Sequence, residues 1–288
     1  MPALRASYFM NTGPSMNKFV SKESVYQLKK IILSLSSCCV MSMTYANSEL
    51  NPIPVVAEQW RFEVTPYIWA PGINGTMGLD SGLAKSADFS SSNVLSNLKS
   101  GGMISAEAHY GKWGVMGDFV SATLQHSGSV PVVTREGNAT IGDKITLQQT
   151  ILTGAVTYSI ANSKDAYVDA LLGVRAIDAT ATLSLNVAGT PEKASISKKT
   201  STVDPIVGTK GRYRLADSSW YVPFYADIGS GGGTTNLTWQ AMLGVGKTFN
   251  RVVDVSLAYR TLYYDMKTGG VFQKTTMSGP VLAATIKF

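Results

Sequence analysis

Charge is scarce in this sequence: Asp, Glu, Lys and Arg make up 15% of its 288 residues, against roughly 25% in soluble proteins. Long apolar runs are missing as well. No stretch approaches the ~18 consecutive apolar residues that a spanning helix needs. Cysteine is limited to the adjacent Cys38 and Cys39, and histidine to His109 and His126. Each shortage excludes something. Two distant histidines make too small a ligand set for a metal site of ordinary spacing. Cysteines confined to the amino-terminal segment leave the rest without disulfides or thiol chemistry. Gly, Ser, Thr and Tyr are plentiful instead. With low charge and no candidate membrane helix, that composition points to a transmembrane β-barrel.

The amino terminus reads as an export signal. Lys29 and Lys30 form a basic flank, residues 31–43 an apolar core, and Thr44-Tyr45-Ala46 a site with small residues at −3 and −1. Residues 1–46 are therefore expected to be a cleaved signal peptide and 47–288 a single barrel domain. The long basic region leaves the translation start open between Met1 and Met16. Leu35-Ser36-Ser37-Cys38 is similar to a lipoprotein box, but the apolar core before it is too short. Five of the 25 basic residues and one of the 19 acidic ones fall in this leader, so the remainder carries a net charge of +2. No polybasic run survives to meet nucleic acid.

Ten segments alternate apolar and polar residues with a period of two: 60–69, 103–110, 113–125, 144–160, 166–187, 200–215, 220–228, 237–249, 253–265 and 272–288. In the first, Trp60, Phe62, Val64, Pro66 and Ile68 share one side, and Arg61, Glu63, Thr65, Tyr67 and Trp69 the other. Pro66 is a mild objection, because it cannot donate to a ladder. The connections alternate long and short. The long ones are 70–101, with a turn of helix expected over 89–98, then 126–143, 188–199, 229–236 and 266–271. The short ones are 111–112, 161–165, 216–219 and 250–252. An all-β, up-and-down antiparallel barrel with short periplasmic turns and longer outer loops has this rhythm. About ten strands fit; eight or twelve would require one misread hairpin. A soluble β-sandwich or lipocalin-like cup would also alternate, with the faces reversed. Two features favour the membrane form. Trp60, Tyr110, Trp113, Tyr158, Tyr213, Trp220, Phe249 and Phe288 fall at strand ends beside the short turns, as an interfacial girdle would, and the apolar faces are continuous.

Three stretches resemble a group of uncharacterised Gram-negative outer-membrane barrel proteins, small porin-like or outer membrane protein A-like barrels. They are residues 60–70 with Gly72-Ile73-Asn74-Gly75-Thr76, residues 203–215, and Asp227-Ile228-Gly229-Ser230-Gly231-Gly232 with residues 238–241 and 244–246. The terminal Phe288, closing an alternating run, is similar to the aromatic end that the barrel-assembly machinery reads in such proteins. The resemblance implies a single-chain barrel in the outer membrane, in contact with lipid. It implies no agreed activity.

If the apolar stripes face lipid, parity turns a mixed set of charges inward: Arg61, Glu63, Glu107, Asp118, Asp169, Arg175, Asp204, Lys210, Arg212, Arg214, Asp227, Asp254 and Arg260, with His109 and Gln240. One reading is a narrow channel for small polar solutes, selected by those charges. The other is a structural plug in which acids and bases neutralise one another across a narrow lumen. Arg212 and Arg214, one repeat apart, are the sharpest feature, with Asp204, Asp227 and Glu107 as expected counter-charges. A third reading is a surface-binding, adhesin-like barrel that uses the long connections. A proteolytic or lipid-modifying enzyme would need a nucleophile beside a base, and neither histidine lies in such a motif. No catalytic residue, metal or cofactor is expected, and the sequence leaves the oligomeric state open.

Overall fold

The computed structural model describes residues 50–79, 84–134, 137–187, 193–231, 235–268 and 271–288. The expected leader, with Cys38, Cys39, Met16 and the Ala46 cleavage site, lies outside the described residues. Twelve strands and one short helix follow, in the order β1 (Trp60–Trp69), β2 (Gly72–Leu79), β3 (Ala84–Phe89), α1 (Ser91–Ser96), β4 (Leu98–Tyr110), β5 (Trp113–Thr134), β6 (Gly137–Asn162), β7 (Ala166–Val187), β8 (Lys193–Arg214), β9 (Trp220–Gly229), β10 (Thr235–Thr248), β11 (Val253–Thr268) and β12 (Val271–Lys287). Strands β1 and β4 to β12 pair antiparallel in sequence order, and β12 returns to β1 to close a ten-stranded barrel. Closure removes the free edges that an open sheet would expose.

Each of the ten expected strands is present, and the period of two sorts its side chains. On β1, Trp60, Phe62 and Ile68 are exposed while Glu63 and Trp69 are buried. Pro66 is accommodated because the register with β12 passes from Val64↔Ile286 to Tyr67↔Ala283. Its missing N–H falls in that gap, where the Thr65 and Thr285 hydroxyls meet at 2.9 Å. Gly111, with φ of 56°, makes the tight turn that sets Tyr110 opposite Trp113, a conformation a Cβ would disfavour. The outer wall is apolar, with Leu172, Leu243 and Leu257 at least 60% exposed. All eight residues of the expected aromatic girdle are exposed at the short-turn end. Trp60 stacks on Phe62, and Trp113 meets Tyr158 edge-on.

The long connections differ from expectation. Gly72–Leu79 and Ala84–Phe89 pair as β2 and β3 where a loop was expected, and the expected turn of helix over 89–98 is the shorter α1, capped by the Ser90 hydroxyl. Beyond Trp69↔Val281, β1 ends, and β2 takes over the same edge of β12 from Gly72↔Ser278 to Leu79↔Val271. Among the described residues β3 pairs with β2 alone. The described residues of the 126–143 connection are also strand, since β5 and β6 stay paired as far as Thr134↔Gly137. Likewise β7 and β8 pair to Asn186↔Lys193, inside the expected 188–199 connection. At 22 to 26 residues, β5 to β8 far exceed the roughly 9–11 residues that cross a bilayer. The Val- and Thr-rich ends, such as Val130, Val132, Val133 and Thr134, have the propensity for pairing, which Gly128, Pro131 and neighbouring polar residues disguise in the sequence.

Candidate functional site

The inward face of the barrel is where polar chemistry collects. At the short-turn end, residues 50–59 lie as a strap against β1 and the β4–β5 and β6–β7 turns. Asn51 donates to the Lys164 carbonyl, Asn162 to the Pro54 carbonyl, and Arg61 to the Val55 carbonyl. Ile53 is buried beneath them. Above this strap lies an ionic cluster contributed by strands far apart in sequence. Arg212 on β8 reaches Glu63 on β1 and Asp254 on β11, each at 2.8 Å, and Lys287 on β12 meets Asp254 at 2.7 Å. Arg61 approaches Glu63 at 3.6 Å. The Arg212 guanidinium also lies over the Tyr221 ring. Gly246 leaves the space for that ring, since a Cβ there would sit 2.3 Å from its Cζ. Lys210 pairs with Glu107, which also meets His109 at 3.1 Å.

Beside this cluster, Ser159 donates to Asp169 at 2.7 Å, and its oxygen lies 3.1 Å from the Tyr167 hydroxyl. Tyr167 donates to Asp169 at 2.9 Å, and its hydroxyl lies 3.4 Å from His109 Nδ1. A tyrosine hydroxyl thus separates the serine from the histidine, and the direct nucleophile–base contact of acyl transfer is not made here. Higher in the lumen, Arg260 donates to Asp118, Tyr67 and Gln240, and Tyr67 donates to Asp118 at 2.6 Å. Arg175 and Asp227 form a second ion pair, with Thr238 as a further acceptor for Arg175 at 3.3 Å. Acids and bases buried together satisfy most of one another's hydrogen-bonding demand, which buried charge requires.

A largely apolar layer follows, with buried Thr202 of β8 beside Ile177 and buried Gln240 of β10 beside Leu262. Trp69, Val120, Ile151, Ile177, Leu262 and Met277 are buried against one another inside the barrel. Arg260 caps its lower side, with the guanidinium 4.7 Å from the Trp69 ring. Two cavities lie on either side of this layer and share no lining residue. The lower one, about 160 Å³, lies among Arg61, Glu63, Glu107, Lys210 and Arg212. The upper one, about 580 Å³, is lined by Trp69, Met103, Val120, Leu124, Ile151 and Met277 together with Val94, Leu95 and Leu98 of the α1 region. Lys198 and Lys199 are its charged lining residues among those described.

The structure therefore gathers most of the inward charges identified from parity, but not with the partners expected. Arg212 is neutralised by Glu63 and Asp254. Of its expected counter-charges, Asp227 pairs with Arg175 and Glu107 with Lys210. Asp204, fully buried, accepts from Thr202. Arg214 turns to the β8–β9 turn, where it donates to the Ser218 carbonyl and approaches Asp217 at 3.4 Å. The correction has a simple cause. On a closed barrel, side chains from strands on opposite walls meet across the lumen, so sequence neighbours are poor guides to partners. Sequence reasoning placed Tyr67 and Trp69 on the polar side of the first strand without giving them a role, and missed Lys287, Tyr167 and the rest of the apolar layer. Adjacent apolar pairs such as Ile151-Leu152 and Phe119-Val120, which leave no polar face, were the available signal. Phe288 is exposed, and its N–H and C=O bond to Phe62 of β1 at 2.9 and 3.3 Å.

No protein-family model and no curated protein sequence matches this chain. Among solved structures, the outer membrane protease OmpT from Escherichia coli is similar with a TM-score of 0.53 at 7% identity, over 83% of this chain and 100% of that one. The transport unit of the autotransporter AIDA-I from Escherichia coli scores 0.36 at 9% identity, over 92% and 99% of the two chains. The translocator domain of the autotransporter NalP from Neisseria meningitidis scores 0.34 at 12% identity, over 93% and 98%. The likeness to OmpT is one of architecture: this chain has the fold of a Gram-negative outer-membrane β-barrel.

Proposed function

We propose that this chain is a non-enzymatic outer-membrane barrel with an occluded lumen, exported by a signal peptide in residues 1–46 and acting through its outer surface. One observation carries the reading. Occlusion is supported by the Arg212–Glu63–Asp254–Lys287 cluster and the largely apolar layer of Trp69, Ile151, Ile177 and Leu262, which lie one after the other inside the barrel. A narrow channel for polar solutes needs a continuous wet path; the two cavities here are separated by that layer. Membrane residence is supported by the exposed apolar wall and the aromatic girdle at the short-turn end. Lipid is then the principal contact, and the barrel-assembly machinery a partner during biogenesis. A surface-binding role is favoured over a purely structural one by the paired extensions of β5 to β8, which reach well past the length a bilayer requires.

Conductance of the purified protein in planar lipid bilayers tests the proposal. The expected result is silence, unchanged by Arg212→Ala with its polar neighbours intact. Stepwise conductance whose size shifts in Arg212→Ala would overturn occlusion and restore the channel.

A further inference from the structure

The upper cavity is poorly explained as packing. A chamber of about 580 Å³ falls within the range of small-molecule sites, roughly 300–1,000 Å³, which are apolar with a few placed polar groups. Its floor is Trp69, whose indole Nε1 is buried without a hydrogen-bond partner. Its side is incomplete. Above the end of β1, β3 has β2 as its strand partner among the described residues, and α1 lies between β3 and β4 in sequence. Phe89, Leu95 and Leu98 line the chamber there while also being exposed.

The chamber carries charge of one sign. The alternation that turns Thr202, Asp204 and Ile206 of β8 inward turns Lys198 inward too, since successive side chains on a strand face opposite ways. Lys199, on the opposite face, is paired with Asp178. No acidic residue lines the chamber among those described. An apolar cavity with an exposed lysine, Lys198, at its open side suits a single occupant type: a hydrocarbon chain ending in an anionic head. We infer that the chamber binds a long-chain anionic amphiphile, with its tail on Trp69 and its head at Lys198. This inference rests on the closed-lumen reading, because the apolar layer is what gives the chamber a floor.

The two sources of such a ligand, free long-chain carboxylate and an outer-leaflet lipid chain, share this chemistry and can be separated. The protein with Trp60, Trp113, Trp220 and Trp239 replaced by Phe, leaving Trp69 as its single tryptophan, is placed in lipid nanodiscs and titrated with dibromostearate. Saturable quenching of Trp69 is expected. It should be abolished by Ala122→Phe or Ala179→Phe, which fill the chamber, with folding checked by heat-modifiable gel migration. Lys198→Glu should weaken the carboxylate about tenfold and leave the neutral brominated alcohol unchanged. Discs of brominated phospholipid without the acid form the second arm. Quenching there that the filling variants remove assigns a lipid chain as the occupant and upholds the site. Quenching that is absent from both arms, or indifferent to the filling variants in folded protein, overturns the inference. Conductance of the same preparations reads lumen closure separately, so silent bilayers with no saturable quenching sink the chamber alone.

Discussion

The guanidinium of Arg175 on β7 reaches past β8 to the carboxylate of Asp227 on β9, and both side chains are wholly shielded from solvent. Removing one partner leaves the other as an uncompensated buried charge. Arg175→Ala or Asp227→Ala should each cost about 3–5 kcal/mol, whereas Arg175→Met combined with Asp227→Leu should be close to neutral. Urea unfolding in lipid vesicles, followed by tryptophan fluorescence, measures all three. Single variants as stable as the parent would remove the pair from the account of what fills the barrel.

The proposed bilayer contact predicts a difference between two exposed apolar residues. Leu172 on β7 and Ile196 on β8 are 67% and 73% exposed. Leu172 lies within the ten-stranded wall, and Ile196 on the extension beyond the β8–β9 ladder. Leu172→Arg should cost about 2–4 kcal/mol, the range for arginine at the bilayer midplane. Ile196→Arg should leave the unfolding midpoint where it is. Equal effects in the same vesicle assay would count against a membrane boundary between these two heights.

Gly246 sets the position of a ring and, through it, of a charge. A methyl there meets Tyr221, and the ring that must move is the one beneath Arg212. Gly246→Ala should therefore destabilise by about 1–3 kcal/mol, the usual range for overpacking, and lower the temperature of the heat-induced shift in gel migration. Gly246→Ala combined with Tyr221→Leu should recover most of the loss.

Outside the barrel wall, Lys164 and Asp217 join two neighbouring short turns. The hydrogen bond from Lys164 holds the Asp217 carboxyl below its ordinary pKa. A depressed carboxyl contributes stability above its unfolded pKa and loses it as the pH falls through the folded one. Amide exchange in residues 215–220 should thus accelerate on acidification, and Asp217→Asn should flatten that dependence. An identical acid response in the variant would show that the pair contributes nothing to the order of this turn.

The ten barrel strands were legible because each keeps one apolar face, and Trp60 to Trp69 is the clearest case. The β2–β3 hairpin was not. Gly72, Gly75 and Gly78 give it the composition of a loop, and its pairing is supplied by the edge of β12 that β1 leaves bare. Inward placement of Glu63, Arg175, Arg212 and Asp254 follows from parity alone. Their partnerships do not, since Arg212 and Glu63 lie 149 positions apart and meet because the sheet closes. The chamber was hidden for a third reason. Val120, Ile151 and Leu262 are apolar residues on the face otherwise given to polar ones, so a rule that assigns faces by polarity sends them to the wrong side.

At Ala70-Pro71 a single strand hands its place beside β12 to a pair, as β1 ends and β2 with β3 begins. Neighbouring strands lie about 4.8 Å apart, so the wall beside β12 gains roughly one such step in width where β1 ends. The wall is thereby let out like a seam just above the Trp69 layer. Room for a guest there is a by-product of how the chain turns that corner, and shortening the 72–89 hairpin should take the room away.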